Sequence, residues 1–303
     1  MDDDLTPPST LTTDAASAHG AAPAHGAGHS RHLRPAGPGR RRLGLAAGAV
    51  VVTAGIVAAA ATGASSGTAV DPSGETMPTA VAAGWTRAFS EDFAEPNATG
   101  GFEQPYADRF SVYHGFADTA GTGRYSASAL TAHDGVLDMR MRTTAGGTPL
   151  AGGIVPLVDG KWGGQTAGRY SIRMRSDEVD GYGVAVLLWS DRNVWADGEV
   201  DFPEGALGAP AWLNVHCLAA PAEKCVHLET AASLKDWHTY TIDWTPQRMT
   251  FSIDGHEIAS TDKDIPVEPM HFVVQAGSLG GVPPKESDGS LLIDWITVDV
   301  PKG

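Results

Sequence analysis

Cysteine is nearly missing from this 303-residue chain, which has two, and that rules out a multi-disulfide scaffold or a closed site of several thiolates. Basic residues are also scarce, with 21 Lys+Arg against 36 Asp+Glu and a formal net charge of -15. The deficit is concentrated beyond residue 84, where 16 basic face 30 acidic residues. An acidic surface repels phosphate backbones and anionic lipid, so nucleic acid is excluded as the expected partner and a neutral ligand is favoured. Helical periodicity is nearly absent from residue 85 onward, and the chain has a single long uncharged run.

That run, residues 43–64 (LGLAAGAVVVTAGIVAAAATGA), follows Arg40, Arg41 and Arg42. Basic-then-apolar order is an export signal, read either as a cleaved signal peptide or as a single-pass anchor. Residues 1–42 form a leader rich in Ala, Gly, Pro, Ser and Thr, expected to be disordered because large apolar side chains are few. In each export reading the basic flank stays inside and the rest of the chain is outside. Residues 65–84 have the small, polar composition of a linker. A folded domain is expected over residues 85–303.

In that domain the signal is strands. GVLDMRMR, RYSIRMRS, WHTYTIDW, RMTFSIDG, MHFVVQAG and LLIDWITV alternate apolar with polar residues between Gly, Pro and Asp turns. Asp254-Gly255 is a hairpin turn signal. Short strands without helical crossovers predict an all-β, antiparallel β-sandwich, and a large curved sheet offers a concave groove for a polymer. Cys217 and Cys225 bracket a short loop, predicting a disulfide in an oxidising compartment, with two reduced, buried thiols as the alternative.

The most informative stretch is Gly198-Glu199-Val200-Asp201-Phe202-Pro203-Glu204-Gly205. On a strand Glu199 and Asp201 share one face while Val200 and Phe202 point to a core. Glu204 would face wrongly unless a β-bulge adds one residue, and Pro203, which cannot donate to the ladder, suits such an irregularity. With the bulge, Glu199 and Glu204 lie about four strand steps or roughly 13 Å apart at Cα. Side chains leaning together would bring the carboxyls to roughly 5 to 6 Å, the spacing of a retaining rather than an inverting glycosidase. Three like charges in a row are costly, so one carboxyl should hold a proton near neutrality. A Glu-x-Asp-x-x-Glu would recur by composition in roughly one chain in fifteen of this length, so its setting must carry the reading.

That setting, from FSEDF through AGRYSIRMR, GVAVLLWSDRNVWADGEVDFPEG and WHTYTIDWTPQRMTFSIDG to LLIDWITV, resembles glycoside hydrolase family 16, the laminarinase-like enzymes with a concanavalin A-like jelly roll. The resemblance covers Trp85 to Pro301. It implies Glu199 as nucleophile, Glu204 as acid/base and Asp201 as the carboxylate that tunes the nucleophile. It implies a retaining endo-glycosidase acting on β-linked polysaccharide, foremost β-1,3- or mixed-linkage β-1,3-1,4-glucan, as a monomer without a required cofactor. Trp189, Trp195, His216 and Arg169 are expected to contact substrate. Glu91, Asp92 and Asp294 are the residues expected to hold a structural calcium such as some members carry. A wall-remodelling transglycosylase or a non-catalytic carbohydrate-binding protein are the alternatives. DRNVWADG is short, and HCLAAPAEKCVH lies outside the usual family pattern.

Overall fold

The computed structural model describes residues 71–303. The leader, the uncharged run and the first part of the linker lie outside the described residues. No helix among the described residues is long and apolar enough to cross a membrane.

Sixteen strands follow in order: β1 (Trp85–Glu91), β2 (Phe110–Val112), β3 (Arg124–Tyr125), β4 (Leu130–His133), β5 (Val136–Arg142), β6 (Leu150–Pro156), β7 (Gly168–Ser176), β8 (Tyr182–Ser190), β9 (Glu199–Ala206), β10 (Pro210–Cys217), β11 (Ala220–Ser233), β12 (His238–Thr245), β13 (Arg248–Ile253), β14 (His256–Thr261), β15 (Met270–Ser278) and β16 (Asp288–Pro301). They form two eight-stranded sheets. One runs β14-β13-β12-β7-β16-β5-β4 with β1 beside β16; the other runs β11-β10-β9-β8-β15-β6-β2 with β3 beside β6. The pairings are antiparallel except β3 with β6, so the expected sandwich is present. The β13–β14 hairpin turns at Asp254 and Gly255, both at positive φ (49° and 75°), as a tight two-residue turn requires.

Alternation decides which side chains meet between the sheets. In β9, Val200 and Phe202 are buried in the common core. The Phe202 ring stands edge-on to Tyr240 of β12 (5.4 Å) and Phe251 of β13 (5.8 Å), so the strand bearing the carboxylates is clamped from behind by aromatic packing. Trp244 joins this core.

Trp295 lies outside the common core. It is 1% exposed, yet it pairs across the ladder with Arg173, and both are covered by the end of the linker. The Trp295 indole donates to the Glu75 carbonyl at 3.1 Å, and Arg173 donates to the Ser73 hydroxyl at 2.6 Å and pairs with Glu75 at 2.9 Å. Residues 73–78 therefore lie against the sheet, because two outward-facing polar heads on large side chains need partners once buried.

The clamp behind β9 gives a stability test. Phe202→Ala should cost about 3–5 kcal/mol through lost burial and a residual cavity, measured by denaturant unfolding; a loss below about 1 kcal/mol would show that this ring does not hold the strand.

Candidate active site

The register of β9 against both neighbours contains the extra residue. On the β8 side Ala185 pairs with Glu204 and Leu187 with Asp201, two residues against three; on the β10 side Trp212 pairs with Glu204 and Asn214 with Asp201, again two against three. The slip lies at Phe202-Pro203, whose peptide bond is cis. Its result is that Glu199, Asp201 and Glu204 share the face opposite Val200 and Phe202. Trp189 and Ala185 of β8, the partners of Glu199 and Glu204, are four residues apart, which is four ladder steps or about 13 Å.

The approach to β9 is locked. A short 3-10 turn, Trp195–Asp197, leads into Gly198 at φ 118°, where a Cβ would meet Pro266 at 2.8 Å; only glycine fits. Asp197 is buried and accepts hydrogen bonds from Arg192 Nε (3.0 Å) and the Ser190 hydroxyl (2.5 Å). The Arg192 hydrogen bond, with Ser190, holds the Asp197 carboxyl below its ordinary range against the effect of burial. This ties the loop so that Trp195 stands beside Glu199. Trp189 stands opposite Glu199 and donates to Asn193 at 2.9 Å.

Glu199 and Asp201 are each 1% exposed and His216 is 3% exposed, and ligating atoms of the three lie within 4.8 Å of one another. His216 Nε2 is 3.4 Å from Asp201 Oδ2, and its Nδ1 is 2.7 Å from the Pro221 carbonyl. A carbonyl can only accept, so Nδ1 carries a proton; Nε2 facing a carboxylate carries one too. Burial opposes that charge, but Asp201 and Glu199 outweigh it and raise His216 to about 9. An imidazolium sets one positive charge beside the two acids. Burial pushes the Glu199 carboxyl up to about 7, with the His216 charge and the Asp201 and Trp195 hydrogen bonds pulling the other way and Glu204 adding to the rise. Glu199 is the carboxyl that shares a proton near neutrality.

Glu204 is half-buried and accepts a hydrogen bond from the Asn214 side-chain amide. Sequence reading missed Asn214, although Trp212, Asn214 and His216 recur at every second position of β10 and so share the face of the carboxylates. It also missed Trp162, which is 47% exposed and packs against His271 at 4.8 Å; His271 is in turn the β15 partner of Trp189. The predicted disulfide Cys217–Cys225 is present and closes the loop that carries Pro221.

Two expectations fail. Arg169 lies on β7 in the other sheet, 3.4 Å from Asp243, facing away from the core because its neighbour Tyr170 is buried in it; alternation put it on the far surface. Glu91, Asp92 and Asp294 do not form a calcium set. Glu91 is taken by Arg109 at 3.0 Å and by the amides of Asp92 and Phe93, and Asp92 caps the Ala94 amide. Asp294 is raised to about 7, first by burial and then by the neighbouring Asp71 against the pull of Ser73. The three residues do not fit the ion.

The family model described as Glycosyl hydrolases family 16 matches residues 164–297, which run from just before β7 into β16. The Crh-like protein CRH11 of Candida albicans is 41% identical over 71 residues, covering 22% of this chain and 15% of that protein. A beta-glucanase of Acetivibrio thermocellus is 25% identical over 124 residues, covering 39% of this chain and 37% of the relative. The chain thus spans well under half the length of both curated relatives. Among solved structures, SCLam, a non-specific endo-beta-1,3(4)-glucanase from family GH16, superposes with TM-score 0.59 at 18% identity, covering 75% of this chain and 95% of that one. The endo-1,3-beta-glucanase of Streptomyces sioyaensis gives 0.58 at 19%, covering 74% and 99%.

The histidine is the testable part of this electrostatic arrangement. Its folded value is raised above the ordinary 6.5, so its contribution to stability is complete below about pH 6.5 and is lost as pH rises through about 9. A 15N NMR titration should find His216 doubly protonated at pH 7.5; a neutral ring at that pH would contradict the cluster.

Proposed function

We propose that this chain, whose residues 164–297 match the model of glycosyl hydrolases family 16, is a member of that family and a retaining endo-glycosidase of β-linked glucan, with β-1,3- and mixed β-1,3-1,4-linkages as the first candidates. The observation that carries this reading is the one-residue slip in β9, which places Glu199 and Glu204 on one face about four ladder steps apart. That separation lets two leaning carboxyls close to the narrow spacing at which one attacks the anomeric carbon while the other protonates the leaving oxygen.

Glu199 is the nucleophile. It is buried where Glu204 is only half-buried, and the imidazolium of His216 together with the Asp201 and Trp195 contacts favours the anion against burial. Asp201, between Glu199 and His216 in charge and position, orients the nucleophile and tunes its charge. Glu204, half-buried, faces the open side where a leaving sugar and then water would stand; it gives its proton to the departing oxygen and takes one from water in the second step. Trp189 and Trp195 offer flat faces for the apolar sides of sugar rings. The same residues would serve transfer to a second sugar, the difference lying in whether water or a hydroxyl reaches the glycosyl-enzyme. The basic-then-apolar order of residues 40–64 supports a place of work outside the cytoplasm.

Purified protein offered laminarin, lichenan and agarose should cleave internal bonds of the glucans, and the product ladder separates hydrolysis from transfer. Glu199→Ala should abolish turnover. Glu204→Ala should retain glycosylation from substrates with good leaving groups and regain turnover with added azide, giving a β-configured azide product. Full activity of Glu199→Ala would end this assignment.

A further inference from the structure

Strand β11 is the outer strand of its sheet, pairing only with β10 in the strand order, and it carries one side chain that no step above uses. His227 is the direct ladder partner of Asn214. Its Nδ1 lies 2.7 Å from the Asn214 side-chain oxygen, while the Asn214 amide nitrogen donates to Oε2 of Glu204. Three side chains from three neighbouring strands thus form one line across the face, His227 to Asn214 to Glu204.

The chemistry of the line has one consistent assignment. The Asn214 oxygen can only accept, so His227 must hold its proton on Nδ1. With its oxygen engaged on that side, the Asn214 amide is held with the NH2 toward Glu204. The reversed amide would set an oxygen against the carboxylate and leave the His227 N–H facing a donor. His227 therefore decides which way Asn214 points, and Asn214 decides which oxygen of Glu204 is occupied as an acceptor. That donor turns the Glu204 carboxyl and so sets how its exchangeable proton is presented.

The edge of the sheet is reinforced where this matters. The β10–β11 register slips between Val215 and His216 and again between His216 and Cys217, and the Cys217–Cys225 bond ties the two strands at that place, two residues before His227 in the chain. A slip of one residue would turn His227 to the opposite face. Its ring also packs against Trp212, at 6.1 Å between centroids.

From this geometry we infer that His227 is a positioning residue for Glu204, acting through Asn214. The inference rests on the acid/base role of Glu204 proposed above, so it needs one readout inside catalysis and one outside it. His227→Phe keeps a ring against Trp212 and removes the donor; His227→Gln supplies an amide donor in its place. On a glucan, whose leaving sugar needs a proton, His227→Phe should lose about tenfold in kcat, the value of one misdirected hydrogen bond, and His227→Gln should recover most of it. On an activated aryl glycoside, whose leaving group needs no proton, kcat/KM, which reports the glycosylation step alone, should stay within about twofold of the wild type in both variants. Independently of any activity, NMR should show the Asn214 side-chain amide protons exchanging about tenfold faster in His227→Phe than in the wild type. Equal losses on both substrates, or unchanged Asn214 exchange in His227→Phe, would overturn the inference. A wild type inactive on every glucan with Asn214 exchange still dependent on His227 would instead refute the function and leave the positioning contact standing.

Discussion

One extra residue in one strand is the constraint from which the site follows. Without the slip at Phe202-Pro203, Glu204 would point between the sheets beside Val200 and Phe202, where an unpaired carboxylate costs several kcal/mol. With it, Val200 and Phe202 keep their places in the sandwich and three carboxyls gather on the other face. The same slip appears against β8 and against β10, so both neighbours accommodate it and the strand cannot relax without breaking pairing on two sides.

Gathering acids creates a charge problem, and the nearby strands and loops answer it. His216 supplies a positive charge beside Asp201 and Glu199, held doubly protonated by the Pro221 carbonyl on one side and Asp201 on the other. The disulfide-closed loop that brings Pro221 into place belongs to the segment that departs from the usual family pattern. Trp195 stands beside Glu199, presented by a turn that Asp197, Arg192 and Gly198 hold in place. Each of these contacts adjusts how readily Glu199 parts with its proton, which is the quantity that nucleophilic attack depends on.

Much of this was legible in the sequence, for reasons that differ by element. Period-2 alternation identified the strands, because burial on one face writes itself into the residues directly. The bulge could be inferred since three carboxylates at 199, 201 and 204 cannot share a face otherwise, and Pro203 marked the place. Arg169 was misplaced because alternation tells which residues share a face but not which sheet a strand joins; its partner Asp243 is 74 residues away along the chain. The calcium set failed for a similar reason, since proximity to the first and last strands does not say whether Glu91 already has Arg109. The docking of residues 73–78 was hidden because Arg173 and Trp295 look like ordinary members of alternating strands. Asn214 and His227 were open to the same period-2 reading as Glu199 and Asp201, but only their register against each other reveals the contact.

The central claim is that Glu199 and Glu204 stand close enough for attack by one and protonation by the other, so that the reaction runs through a covalent glycosyl-enzyme. The most direct test is the anomeric configuration of the sugar first released from a β-linked glucan, followed by 1H NMR before mutarotation. Retention, a β-anomer appearing first, is the predicted result. An α-anomer appearing first would mean direct displacement by water, and Glu199 could not be the nucleophile.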